Sequence, residues 1–133
     1  MLRTFKKEFE SLEAVFHFAK EFFDQQGLEP EALFPVYLAL EEYFTNMVKY
    51  NASSRQDVAL DLKKEGDYLV ASLSDRDVEP FDVTRVGDVP VDQPLEQRRA
   101  GGLGLYLARQ MVDRVDYHYA DRTSTVTIYK KIR

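Results

Sequence analysis

Hydrophobic residues recur along the chain at two different spacings, and the wider spacing predicts two helices. In residues 12–23 an apolar residue returns every three or four positions, after a candidate N-cap at Ser11 and before Gly27, a residue type that commonly ends helices. A second amphipathic helix is predicted from Pro30 to about Asn51, since proline is tolerated in a first helical turn. Its predicted core stripe is Leu33, Val36, Tyr37, Leu40, Phe44 and Met47, and its polar face is Glu42, Thr45, Asn46 and Lys49.

The narrower spacing, an alternation of apolar and polar residues, predicts the strands. A hairpin is predicted over residues 56–75, with its turn at Glu65-Gly66-Asp67. Two more strands are predicted at 115–119 and 125–129, with a polar turn between them. A short strand is also predicted between Leu2 and Phe9.

The segment between the hairpin and the last two strands is a long loop that ends in a third helix. Residues from about 76 to 104 contain prolines and many charges and no sustained period, which is typical of a binding loop or lid. The third helix follows Gly104. The resulting order, β-α-α-β-β-lid-α-β-β, predicts an α+β two-layer sandwich with about three helices on one face of a mostly antiparallel mixed sheet. We expect residues 1–133 to form a single domain.

Composition and charge exclude several classes of function. The 133 residues are 44% hydrophobic and 31% charged, which is ordinary for a globular domain. The net charge of -5 is opposite to what direct binding to nucleic acid requires. The chain has no cysteine and no run of 18 apolar residues, so we expect no disulfide, no thiolate metal site and no membrane partner. A cytoplasmic location is the default expectation.

A glycine-rich segment stands directly before the third predicted helix. It consists of Gly101, Gly102, Leu103 and Gly104. Backbone N–H groups at a helix N-terminus attract anions, and glycine lets a phosphate approach the backbone. The alternative is that these glycines only permit a turn.

Polar residues on the second helix and at the end of a strand are candidates for chemistry. Glu42, Asn46 and Lys49 follow one another at helical spacing and offer a base, a neutral oxygen ligand suited to Mg²⁺, and a cation for phosphate. Asp75 closes a hydrophobic strand, where its carboxylate can accept a hydrogen bond from an exocyclic amine. The alternatives are a solvated helix face and a turn residue. P-loop, nucleophile-elbow and HExxH zinc motifs do not occur in the sequence.

Three segments in chain order resemble one known ATP-binding domain. LALEEYFTNMVKY (38–50) resembles its N-box, SDRDVEPFD (74–82) its adenine motif, and PLEQRRAGGLGLYLARQMVDRVDY (94–117) its lid and second glycine box. This domain, the GHKL or Bergerat fold, is shared by histidine kinases, gyrase-type ATPases and anti-sigma-factor serine kinases. The last segment is most similar to the small anti-sigma regulatory kinases.

The resemblance implies a cofactor, partners and a role for each candidate residue. Glu42 would be the catalytic base, Asn46 the Mg²⁺ ligand, Lys49 a phosphate contact and Asp75 the adenine reader, while the backbone at Gly102 and Gly104 would bind the phosphates of ATP. The implied activity is an ATP-dependent serine kinase that regulates transcription by partner switching. Its partners would be an anti-anti-sigma protein of the STAS type and a sigma factor, and a homodimer is compatible with this role.

One departure from the family pattern leaves other functions open. The adenine motif usually has a glycine two residues after its aspartate, where this chain has Asp77. Because glycine adopts backbone conformations that other residues adopt at a cost, nucleotide binding could be lost. The alternatives are a non-catalytic binding module of the same fold, and an ATPase that hydrolyses ATP to act as a conformational clamp.

Overall fold

The computed structural model describes residues 1–51, 54, 56–85 and 107–132. The α+β class is confirmed, and the described helices and strands follow one another in the predicted order, while residues 86–104 of the predicted lid lie outside the described residues. In chain order the elements are β1 (Leu2–Phe5), α1 (Leu12–Gln26), α2 (Leu33–Tyr50), β2 (Val58–Glu65), β3 (Tyr68–Arg76), β4 (Arg114–Ala120) and β5 (Thr123–Lys131). Residues 107–111 are also helical. None of the described helices is both long and apolar enough to cross a lipid bilayer.

Helix α1 ends as predicted but begins differently. Gly27 takes a left-handed backbone with φ 64°, and the backbone N–H of Leu28 donates to the Phe23 carbonyl. Ser11 directly precedes α1, as predicted, but its side chain makes no capping hydrogen bond. A 3-10 turn, Phe9–Ser11, precedes the helix, so Ser11 already has helical backbone angles and its hydroxyl donates instead to the Lys6 carbonyl at 2.7 Å.

Helix α2 starts from a 3-10 turn at Pro30–Ala32, in agreement with the predicted start. Its buried face is broader than predicted and comprises Pro35, Val36, Ala39, Leu40, Tyr43, Phe44, Asn46 and Met47. Leu33 and Tyr37, predicted for the core, are only half-buried. Asn46, predicted for the polar face, is buried because the chain after β3 covers this end of the helix.

The five described strands form one antiparallel sheet in the order β1-β2-β3-β5-β4. The parallel pair that a mixed sheet allows does not occur among them. One face packs against the helices and buries Val58, Leu60, Leu62, Leu69, Ala71, Leu73, Val126 and Ile128. β3 lies in the centre, so Asp75, near its C-terminal end, faces the helices between Val58 of β2 and Ser124 of β5.

The turns between the strands follow their sequences. Gly66, in the predicted β2–β3 turn, has φ 59°. β4 and β5 are joined by Asp121 and Arg122, with φ 54° and 58°, which is the pair of left-handed residues that a two-residue type I′ hairpin requires. The first strand is shorter than predicted and ends at Phe5.

Candidate functional site

The polar residues of α2 lie near the C-terminal half of the helix. Glu42 is half-buried, and burial raises the pKa of its carboxyl, as does the neighbouring charge of Glu41. Lys49 acts in the opposite direction and lowers that pKa. Since Lys49 follows Glu42 by two helical turns, both side chains project from the same side of α2. The pKa of Glu42 is therefore higher than that of an ordinary glutamate, and a cation projects from the same side of the helix.

Asn46 lies between these two residues and is held by the chain that follows β3. Its side chain is buried, and Nδ2 donates to the Val83 carbonyl at 3.0 Å. Val78 and Val83 are themselves buried, which keeps this segment against the helix. Because the amide nitrogen contacts the protein, the acceptor oxygen Oδ1 is the atom that suits a hard cation such as Mg²⁺.

Asp75 is completely buried, and its carboxylate contacts a cation at one oxygen and a hydrogen-bond donor at the other. The Lys7 ammonium lies 2.6 Å from Oδ1, and the Asn51 amide donates to Oδ2 at 2.9 Å. Burial raises the pKa of Asp75, while the hydrogen bonds from Lys7 and Asn51 lower it. The predicted adenine reader is therefore an acceptor that already has two partners within the protein.

Lys7 and Asn51 are polar residues of this region that no motif in the sequence selects. The Lys7 side chain is only 3% exposed, and its ammonium also donates to the Asn51 carbonyl at 3.0 Å. Asn51 is buried at the end of α2. A signal for Lys7 was present in the sequence, because strand alternation places it on the same side as the buried Phe5. Sequence gives no comparable signal for Asn51.

Asp77, where the resemblance predicts a glycine, adopts a left-handed backbone conformation of the kind that glycine favours. Its φ is 59°, and its carboxylate accepts a hydrogen bond from Arg122 Nε at 3.0 Å. Arg122 also donates to Glu79 at 3.0 Å, and its carbonyl accepts the Val78 backbone N–H at 3.0 Å. Aspartate tolerates the left-handed region better than most residues. The turn after β3 is therefore formed without a glycine.

Two tyrosines of β4 attach the same segment to the sheet. The Tyr119 hydroxyl donates to the Val78 carbonyl at 2.8 Å, and the Phe81 backbone N–H donates to the Tyr117 hydroxyl at 3.3 Å. The alternation of these tyrosines in the sequence predicts sheet packing. Tyr117 does pack against the core, but both phenols also hold the chain after β3.

An aromatic pair and a cleft lie in this part of the molecule. Tyr50 and Phe81 stack with their ring centroids 5.7 Å apart, and both rings are about 40% exposed.

A cleft of about 790 Å³ is lined by residues of the 82–85 and 109–118 segments. The described residues of its lining do not include Glu42, Asn46, Lys49 or Asp75. The predicted glycine-rich segment, residues 101–104, lies outside the described residues.

Comparison with known families and curated proteins gives consistent matches. The model of the histidine kinase-like ATPase domain matches residues 5–130. The serine-protein kinase RsbW of Listeria innocua is 31% identical over 106 residues, covering 75% of this chain and 67% of that protein. RsbW of Listeria monocytogenes matches with the same identity and coverage.

Solved structures share the fold at lower sequence identity. The RsbU and RsbW domains of Rv1364c from Mycobacterium tuberculosis match with a TM-score of 0.69 at 16% identity. That match covers 99% of this chain and 32% of the other, so this chain spans about a third of the mycobacterial chain. The histidine kinase AdeS of Acinetobacter baumannii matches with a TM-score of 0.54 at 13% identity, covering 100% of this chain and 68% of that kinase.

Proposed function

Because the chain belongs to the family of histidine kinase-like ATPase domains, we propose that it is an ATP- and Mg²⁺-dependent serine protein kinase of the anti-sigma type. The observation that carries this proposal is the half-buried Glu42, whose raised pKa suits a proton acceptor, with Lys49 acting on it from the same side of α2. The identity to serine-protein kinases over two thirds of their length supports it.

In this mechanism the residues of α2 position the reacting groups. Glu42 accepts the proton of the attacking serine hydroxyl, and Asn46 Oδ1 is the atom that would hold Mg²⁺. The metal ion, when bound, screens the charge of the phosphates. Lys49 contacts a phosphate, and Asp75 accepts a hydrogen bond from the amine of adenine.

The proposed function also involves residues outside the described ranges and two protein partners. The backbone of Gly101, Gly102, Leu103 and Gly104 would bind the phosphates at the start of the third helix. The serine substrate would belong to an anti-anti-sigma protein of the STAS type, and a sigma factor would be the alternative partner. We expect this partner switching to occur in the cytoplasm, with the chain acting as one domain.

The decisive experiment measures ATP binding and then phosphate transfer. Calorimetry with Mg²⁺ should detect ATP binding to the isolated protein, and radiolabelled ATP should label a serine of a STAS-type protein from the same organism. Glu42→Ala should reduce the transfer rate about 100-fold or more, which is the usual contribution of a general base. ATP should still bind to this variant.

The control for Glu42→Ala is a variant that changes an exposed glutamate on another helix. Glu13→Gln removes a carboxylate that is 86% exposed on α1, and it should leave the transfer rate unchanged. Absence of ATP binding to the folded wild-type protein would contradict the proposal. Phosphate release that does not depend on a protein substrate, with no labelled serine, would favour the conformational clamp.

A non-catalytic binding module is the second candidate, and the burial of Asp75 favours it. The carboxylate is fully buried, and it is ion-paired with Lys7 at one oxygen and hydrogen-bonded to Asn51 at the other. A nucleotide base must compete with these donors. Transfer of phosphate to a partner serine that is lost in Glu42→Ala would exclude this candidate.

A further inference from the structure

The Lys7–Asp75 ion pair lies where the proposed function places the base of the nucleotide. Resting on that function, we propose that Lys7 is a specificity-determining residue of the nucleotide site. Its ammonium occupies the Asp75 oxygen that the amine of adenine would take, and it thereby lowers the preference for adenine over a 6-oxopurine base.

The Lys7 ammonium contacts two oxygen atoms in this region. Nζ lies 2.6 Å from Asp75 Oδ1 and 3.0 Å from the Asn51 carbonyl oxygen, and the side chain is 3% exposed. Asn51 donates to the other carboxylate oxygen at 2.9 Å. An ammonium has three donors and no acceptor, so contacts with the part of the chain that the structure describes account for two of the three donors of Lys7. An incoming donor therefore meets a carboxylate that is already paired.

Adenine and 6-oxopurine bases carry different groups at the position that would face the Lys7–Asp75 ion pair. Adenine presents an exocyclic amine, which donates, whereas a 6-oxopurine presents a carbonyl oxygen, which accepts. The amine competes with Lys7 for Asp75. The carbonyl oxygen can instead accept the third donor of Lys7. A site with Asp75 alone would favour the amine, and Lys7 works against that preference.

The chain between β1 and α1 holds Lys7 in place. Phe5 is buried and pairs with Val58 of β2, which fixes the end of β1. The Lys6 carbonyl then accepts hydrogen bonds from the Glu8 backbone N–H at 2.8 Å and from the Ser11 hydroxyl at 2.7 Å. This closed turn directs Lys7 inward, so its position is built into the fold.

The test compares two nucleotides that differ at this group. Dissociation constants of ATP and of inosine triphosphate, which has a 6-oxopurine base, are measured by calorimetry with Mg²⁺ for the wild-type protein and Lys7→Met. We expect Lys7→Met to shift selectivity towards ATP by about tenfold, the usual effect of one hydrogen bond to a charged group. Lys6→Met, which removes the same charge from the neighbouring exposed position, should leave the ratio unchanged.

A purely structural role for Lys7 predicts a different result. It would lower the stability of the variant but leave the ratio of the two dissociation constants at the wild-type value. An unchanged ratio in folded Lys7→Met, verified by circular dichroism, overturns the inference. If Lys7→Met does not fold, the wild-type ratio decides: ATP bound about tenfold or more tightly than inosine triphosphate overturns the inference, and comparable affinities support it. Failure of the wild-type protein to bind either nucleotide contradicts the proposed function instead.

Discussion

Glu42 is a side chain whose surroundings bear directly on its proposed chemistry. Burial and the charge of Glu41 both raise the pKa of its carboxyl. A general base must be ionised to act, so its activity is lost as the pH falls through its pKa. The acid limb of the pH profile should therefore lie at a higher pH than for an ordinary glutamate.

The contribution of Glu41 to this pKa can be measured separately. Glu41→Gln removes a negative charge that raises the pKa of Glu42, so that pKa should fall and the acid limb of kcat/KM should move to lower pH. Glu13→Gln, far out on the exposed surface of α1, should not move the limb. An acid limb that stays in place in Glu41→Gln would show that Glu42 does not set it.

Asp77 provides a second prediction at the level of a single residue, because its backbone is left-handed at φ 59°. Alanine is strained in this left-handed conformation, so Asp77→Ala should lower the free energy of unfolding by about 1 kcal/mol or more. Glycine adopts it readily, so Asp77→Gly should leave stability nearly unchanged. Urea unfolding measures both variants. Equal stabilities of the alanine and glycine variants would mean that this backbone conformation is not populated in solution.

The segment from Asp77 to Thr84 contacts both helix α2 of the candidate site and strand β4 of the sheet. It is held from three directions: by Asn46 of α2, by the tyrosines of β4 and by Arg122 of the β4–β5 turn. Most of these contacts are hydrogen bonds to its backbone. The segment can therefore keep its position without a repetitive structure of its own.

Tyr119→Phe tests how strongly this element is held. The variant loses the 2.8 Å hydrogen bond to the Val78 carbonyl, which should cost about 1 kcal/mol. Hydrogen exchange should then become faster in residues 77–81 and remain unchanged in the central strand β3. Tyr68→Phe, which changes an exposed tyrosine near the β2–β3 turn, is the control. Unaltered exchange in Tyr119→Phe would mean that the other contacts are sufficient.

Sequence periodicity predicted the elements because each depends on local spacing. The bounds of α2 and the hairpin of β2 and β3 followed from apolar residues that repeat every 3.6 or 2 positions. The role of Ser11 and the burial of Asn46 could not be predicted in this way. Each depends on a neighbour, a preceding 3-10 turn for Ser11 and the chain around Val83 for Asn46.

The candidate site combines segments of the chain that are distant in sequence. The resemblance to known motifs selected Glu42, Asn46 and Asp75 without any knowledge of the sheet order. Lys7 enters the site because β1 pairs with β2, which brings the chain that follows β1 into contact with Asn51 at the end of α2. No local pattern contains that information, since it resides in the strand order β1-β2-β3-β5-β4.

The central position of β3 has a consequence for the time at which the site forms during synthesis. β3 pairs on one side with β2, made just before it, and on the other with β5, which begins at Thr123. At about 5–20 residues per second, the ribosome adds the residues between β3 and β5 over several seconds. Throughout that interval Asp75 lies on a strand with an open edge. A nascent chain therefore cannot complete the candidate site until the last strand has emerged.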